Sequence, residues 1–239
     1  MAHESDRLYF RQLLAGYDFA RDDPMAAQMV NFCYLIGDRE TRECVVVDPA
    51  WDVDGLLRVA EDDGMQLTGA LVTHYHPDHV GGDLFGHGVE GLAALMERKA
   101  IPVHCQKEEA RGVQMVTGLS ASDLTPHDPS DVVTVGEVPI QLLHTPGHTP
   151  GSQCFLVGGN LVAGDTLFVQ GCGRVDFPGG DAEQMYLTLT QRLAALPDET
   201  VLYPGHHYGD VPHSTFAEQR RTNYCLRPRT LADWLTLMG

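Results

Sequence analysis

The chain has 239 residues, enough for one large domain or two small ones, and 43% of them are hydrophobic, so a sizeable core is within reach. Its 33 acidic side chains against 16 basic ones leave a formal charge of −17, which argues against general binding to nucleic acid or to an anionic membrane surface. No stretch is apolar for long enough to span a bilayer, and the polar start Met1-Ala2-His3-Glu4-Ser5-Asp6 lacks the core of a secretory signal, so the expected location is cytoplasmic.

In chain order, residues 1–24 are mixed and define no element. The apolar run 29–36 closes at Gly37-Asp38, and 44–47 ends at Asp48-Pro49, which together predict a hairpin. Val53, Leu56, Leu57 and Ala60 predict a helix over 53–60, stopping near Gly64, and 67–72 reads as a buried strand. Helices are expected over 89–99 and 106–116, around a short strand at 102–105. Strands 131–135 and 138–143 pair around Gly136, and 153–157 with 161–163 form a hairpin around Gly158-Gly159-Asn160. A helix over 182–196 starts at Asp181 as its cap, with Pro197 beyond its end. A strand at 200–203 and terminal helices over 215–221 and 231–237 complete the chain. There is no internal repeat or linker. Two halves that each run strands then helix suit two sheets packed face to face, and the periodicity by itself supports a mixed α/β domain. Cys33, Cys44, Cys105, Cys154, Cys172 and Cys225 contain no Cys-x-x-Cys pair and read as reduced, mostly buried thiols.

The strand at 67–72 runs into Thr73-His74-Tyr75-His76-Pro77-Asp78-His79, which holds four metal-ligand side chains within six residues. At a strand end, positions two apart point the same way, so His74 and His76 can meet one ion. Asp78 and His79 follow the turn at Pro77 and can face a second. Three later segments add donors. His148 stands between two Pro-Gly corners in 145–152, Asp165 follows the strand at 161–163, and His206 follows the strand at 200–203 in Tyr203-Pro204-Gly205-His206-His207-Tyr208. A carboxylate at a strand end can bridge two cations. Imidazoles and carboxylates at this density suit zinc, iron or manganese.

The stretch His74-Tyr75-His76-Pro77-Asp78-His79, with His148, Asp165 and His206 following in that chain order, resembles the signature of the metallo-β-lactamase superfamily. The resemblance implies an αβ/βα sandwich of two mixed sheets flanked by helices. It implies one ion on His74, His76 and His148, a second on Asp78, His79 and His206, and Asp165 between them. It further implies two divalent ions per chain, zinc first with iron or manganese as alternatives, and a hydroxide between them as nucleophile, which Asp78 would orient as the catalytic carboxylate. His207 is the one remaining histidine expected to support a ligand.

Within that superfamily, Gly164-Asp165-Thr166-Leu167-Phe168-Val169, Gly171-Cys172-Gly173-Arg174 and Ala182-Glu183-Gln184-Met185-Tyr186 resemble glyoxalase II, the hydroxyacylglutathione hydrolase. The run Gly171 to Phe177 with Tyr203 to Tyr208 also resembles persulfide dioxygenases, which implies a single Fe(II) on His74, His148 and Asp165 with the other ligands often retained unused, so the ligand list does not separate the two branches. Asp165 disfavours the β-lactamases themselves, which lack an aspartate there, and His76 disfavours flavodiiron enzymes, which carry Glu. The expectation is a thiolester hydrolase acting on a small molecule such as a glutathione or other thiol conjugate. The persulfide dioxygenase is the alternative, and a non-catalytic metal-bearing regulatory protein is a third reading that the complete ligand set argues against. A homo-oligomer is compatible with the sequence. Arg174 and Tyr208 are the candidate substrate contacts, Arg174 because an anionic substrate meets a chain at −17 and needs a local cation. The chain is read as one domain over 1–239, with a helical insertion at about 84–103 and a helical tail at about 213–239.

Overall fold

The computed structural model describes residues 7–238; the polar stretch 1–6, with His3, and the terminal Gly239 lie outside the described residues. The first half runs β1 (Leu8–Leu14), α1 (Pro24–Met29), β2 (Phe32–Asp38), β3 (Glu43–Val47), α2 (Val53–Asp62), β4 (Gln66–Leu71), α3 (Pro77–Val80), β5 (Gly82–Leu84), β6 (His87–Val89), α4 (Leu92–Arg98), β7 (Val103–Gln106), α5 (Ala110–Thr117) and β8 (Leu124–His127). The second runs β9 (Val132–Val135), β10 (Val138–His144), β11 (Gln153–Val157), β12 (Asn160–Val162), β13 (Leu167–Phe168), β14 (Gly171–Cys172), α6 (Ala182–Leu187), β15 (Val201–Tyr203), β16 (Ser214–Thr215), α7 (Phe216–Thr222) and α8 (Leu231–Met238).

One sheet has the order β1-β2-β3-β4-β7-β8 and the other β16-β15-β12-β11-β10-β9. β2 shows why two sheets form. It is apolar at nearly every position because both its faces are covered. Phe32, Tyr34 and Ile36 belong to one buried core with Ile140, Leu142 and Phe155 of the other sheet, while Cys33 and Leu35 belong to a second core with Leu56, Leu92 and Val113 of the helices outside. The second sheet has its own outer layer, where Cys154, Leu161 and Leu202 pack on Met185, Leu189, Phe216 and Trp234. The result is the helix–sheet–sheet–helix order of an αβ/βα sandwich.

Several boundaries differ from the expected ones. β1 falls inside the segment that carried no assignment and pairs with β2 along its whole length, from Leu8↔Asp38 to Leu14↔Phe32. It is an edge strand with apolar residues on both faces and Arg11 and Gln12 between them, so no single period marks it. The helix expected over 89–99 starts at Leu92, because Val89 is paired with Gly82 in the β5–β6 hairpin, and residues 84–103 are therefore part hairpin and part helix. The helix expected over 182–196 begins as placed, with the Asp181 carboxylate accepting from the Gln184 N–H. It then changes winding, from α to a π segment at Thr188–Arg192 and a 3₁₀ turn at Leu193–Ala195. The wider turn lets the Thr188 hydroxyl donate to the Pro146 carbonyl at 2.7 Å, in the loop that carries His148. Among the described residues no helix is long and apolar enough to cross a membrane.

Candidate metal centre

Each expected ligand lies just beyond the end of a strand, and the tertiary fold brings all seven together. β4 delivers His74 and His76. Pro77 then starts α3, a single turn that places Asp78 and His79. The loops after β10, β12 and β15 deliver His148, Asp165 and His206. Gly205 allows the last two to meet, since a Cβ there would collide with the Asp165 carboxylate.

The donor atoms fall into two groups. His74, His76 and His148 present nitrogens that lie within 4.8 Å of one another, and so do the donor atoms of Asp78, His79 and His206. His148 Nε2 is 3.0 Å from His76 Nδ1, and His79 Nε2 is 3.2 Å from His206 Nε2. Asp165 lies between the groups, with Oδ1 3.3 Å from His79 Nε2 and Oδ2 3.4 Å from His206 Nε2 and 3.6 Å from His148 Nε2. His74, His79, His148 and His206 are buried, as is Asp78.

The outward nitrogens are fixed. His79 Nδ1 donates to Asp48 at 2.9 Å, His148 Nδ1 to the Arg174 carbonyl at 2.7 Å, and His206 Nδ1 to the Met29 carbonyl at 2.8 Å. His74 Nδ1 is 3.0 Å from the Thr73 hydroxyl, which donates onward to Asp48 at 2.6 Å. Each ring therefore turns its other nitrogen inward, the arrangement that presents imidazoles to a metal. Two buried atoms in the middle, His74 Nε2 and Asp165 Oδ1, have no hydrogen bond. Unpaired buried donors and acceptors are costly unless something occupies the space between them. The donor set of five imidazoles and two carboxylates fits transition-metal ions.

The electrostatics divide the same way. Burial and the neighbouring His148 push His76 down to about 4, and burial with His79 pushes His74 down as well, so these imidazoles are neutral and ready to bind a cation. Burial also opposes charge on His206, but Asp165 and Asp78 outweigh it and raise the group to about 9. His79 is raised in the same way, chiefly by Asp78 and Asp165. Burial would raise Asp78, yet the charge of His79 and the hydrogen bond to His206 hold it below the usual carboxylate range.

Three supports were not anticipated. Asp48, read only as the turn after a strand, accepts from the Thr73 N–H, the Thr73 hydroxyl and His79. Its φ of +52° is the local cost of turning that carboxylate inward. Asn31 donates to Asp78 at 3.0 Å and accepts from Trp51 Nε1 at 3.1 Å. Glu109 joins two ligand loops. His207, expected to support a ligand, instead faces Phe32, with ring centroids 5.5 Å apart, and touches no ligand in the described contacts. The Asp48-Pro49 turn after a β strand was the one sequence signal that could have pointed to Asp48.

The rim carries the two expected substrate contacts. Tyr208 lies stacked on His206, 4.6 Å between centroids, and is 57% exposed. Phe177 meets His76 at 5.8 Å and carries the Arg174 guanidinium 4.3 Å above its ring. Arg174 is 64% exposed and its side chain is engaged by Asp176 at 2.8 and 2.6 Å, while its backbone carbonyl holds His148.

Fold and donor set together define an αβ/βα sandwich with a histidine–aspartate metal centre. Residues 28–206 match the family described as the metallo-beta-lactamase superfamily, and the chain belongs to that family. It is 38% identical over 182 residues to a hydroxyacylglutathione hydrolase of Nitrosococcus oceani, covering 74% of this chain and 62% of that protein, which is less than two thirds of its length. It is 32% identical over 197 residues to the mitochondrial persulfide dioxygenase ETHE1 of Bos taurus, covering 81% of this chain and 70% of that one. The solved structure of ETHE1 from Myxococcus xanthus matches with a TM-score of 0.78 at 34% identity, over 96% of this chain and 89% of the other. Family membership thus admits both a hydrolase and a dioxygenase.

Proposed function

We propose that the protein is a cytoplasmic metal-dependent hydrolase with two divalent ions per chain, zinc first, that cleaves a thioester such as a hydroxyacyl-glutathione. The observation that supports two ions is the completeness of the second half of the centre, and the choice of a hydrolase over a dioxygenase leans on the 38% identity to a hydroxyacylglutathione hydrolase. Asp78, His79 and His206 are buried, converge within 4.8 Å and are each oriented by an outside partner, as fully as His74 and His148 are. Two bound ions would lower the pKa of a water toward neutrality and polarise the scissile carbonyl. The chain's own residues do the rest. Asp165 lies between the two halves, and Asp78, held ionised and fixed by Asn31, is the carboxylate placed to orient a nucleophile. Phe177 and Tyr208 flank the centre with apolar faces, and Arg174 offers its guanidinium at the rim to a substrate carboxylate, which must displace Asp176.

A second reading, a mononuclear iron persulfide dioxygenase using His74, His148 and Asp165, draws support from the extended similarity to ETHE1. Metal analysis of protein purified without added metal, run beside anaerobic thioesterase and oxygen-uptake assays, separates the two. The hydrolase binds about two ions and turns over without oxygen. His76→Ala abolishes most of that hydrolysis, whereas a dioxygenase tolerates it. Binding that never exceeds one ion at saturating zinc, iron or manganese, with persulfide oxidation and no thioester cleavage, makes the second reading the correct one.

A further inference from the structure

Glu109 is 1% exposed and carries its carboxylate into the space between two ligand loops. Its Oε1 accepts from the Tyr75 N–H at 2.8 Å, between His74 and His76, and from the Thr149 hydroxyl at 2.7 Å, next to His148. Its Oε2 accepts from the Gly151 N–H at 2.7 Å. The partners are neutral, unlike those of the other buried carboxylates: Asp38 faces Arg7, and Asp48 and Asp78 face His79. Gly151 has to be a glycine for this approach, since a Cβ there would lie against Glu109. The loops also meet through Gln153, whose N–H donates to the Thr73 carbonyl at 2.9 Å, but that bond lies behind the ligands.

We infer that Glu109 is a positioning residue for the half of the centre built by His74, His76 and His148, tying their two loops into one frame. The inference rests on reading those histidines as metal ligands. Only a carboxylate supplies acceptors at both ends for two N–H groups and a hydroxyl. A carboxyl buried among neutral groups is otherwise costly, and burial raises Glu109 to about 7 despite the bonds from Thr149, Tyr75 and Gly151. The other half has its own supports in Asn31 and the Met29 carbonyl, neither of which hydrogen-bonds Glu109, while Asp48 stands behind both halves, holding His79 directly and His74 through the Thr73 hydroxyl.

Selectivity between the halves is therefore the readout. Metal-free wild type, Glu109→Gln and Glu109→Ala are titrated with zinc by calorimetry, and their unfolding temperatures are recorded without metal. His76→Ala and His206→Ala mark which binding step belongs to which half. Glu109→Gln keeps the Oε1 acceptor but points an amide N–H₂ at the Gly151 N–H. It should weaken the first-half ion by about tenfold and leave the other step unchanged. Glu109→Ala should weaken it further. If Glu109→Ala does not fold, Thr149→Val removes one of the three bonds and should give a smaller loss in the same half. Equal weakening of both steps, or a lower unfolding temperature with unchanged zinc affinity, overturns the inference and makes Glu109 a general prop of the fold. A wild type that binds a single ion instead sinks the dinuclear reading. The inference then still stands if that ion, held by His74 and His148, weakens tenfold in Glu109→Gln.

Discussion

The two halves of the centre are built from different chemistry. His74, His76 and His148 are three imidazoles, at least two of them driven neutral by burial and by each other. Asp78, His79 and His206 mix a carboxylate with imidazoles whose hold on a proton is strengthened by Asp78 and Asp165. The supports differ as well. The first half hangs on Thr73, the Arg174 carbonyl and Glu109, the second on Asn31 and the Met29 carbonyl, and Asp48 backs both, through Thr73 and through His79. If two ions bind as proposed, the second half should exchange more protons for metal than the first.

Substitutions that erase or accentuate this asymmetry test it. Asp165→Ala removes the carboxylate that touches both halves and should depress both binding steps. Loss of ion-based charge stabilisation is worth several kcal/mol, so kcat/KM should fall by about a thousandfold or more. Retention of one ion at wild-type affinity would show that Asp165 serves only one side.

The next effect is on stability. Glu109 binds its proton more tightly folded, at about 7, than unfolded, near the ordinary glutamate value of 4.5. Protonation therefore favours the fold. Wild-type stability should fall as pH rises from about 4.5 to about 7 and then level off, by at most about 3 kcal/mol. Urea unfolding of the metal-free protein across that range, with Glu109→Gln as reference, isolates this part of the slope. A difference between the two proteins that is constant with pH would mean that folding leaves the proton affinity of Glu109 unchanged.

Asp48→Asn keeps one acceptor for Thr73 and weakens the hold on His79. The second-half ion should lose roughly 10–100-fold in affinity, with the first half changed less. Equal losses would mean that Asp48 acts through Thr73 and His74 as much as through His79.

Arg174→Ala should have the smallest effect, because Asp176 already occupies the guanidinium. KM for an anionic thioester should rise about tenfold, as for one charge-assisted contact, with metal content intact. A neutral thioester losing as much would make Arg174 a support for the 171–177 loop, whose carbonyl at 174 holds His148.

The ligand set was legible in the sequence for a local reason. Four donors sit within six residues after a strand, and the other three each follow a strand end beside a glycine or proline. Strand-end geometry marked His74 and His76 as able to share an ion, and the resemblance to the metallo-β-lactamase signature, with its chain order, supplied the full set. The two-sheet arrangement was legible because the two halves each run strands then helix, and the resemblance supplied the αβ/βα order. Tertiary structure alone decided what holds those ligands. Asp48 reaches His79 across 31 positions, Asn31 reaches Asp78 across 47, and Glu109 reaches Tyr75 and Thr149 across 34 and 40. No periodicity or motif encodes such pairs, because a hydrogen bond between distant segments exists only once packing has fixed both ends. The same holds for β1, which needs β2 beside it, and for Thr188, whose hydroxyl meets the Pro146 carbonyl across 42 positions. The sequence by itself determined which atoms can bind metal, and the fold decided how firmly each is held and in which half it works.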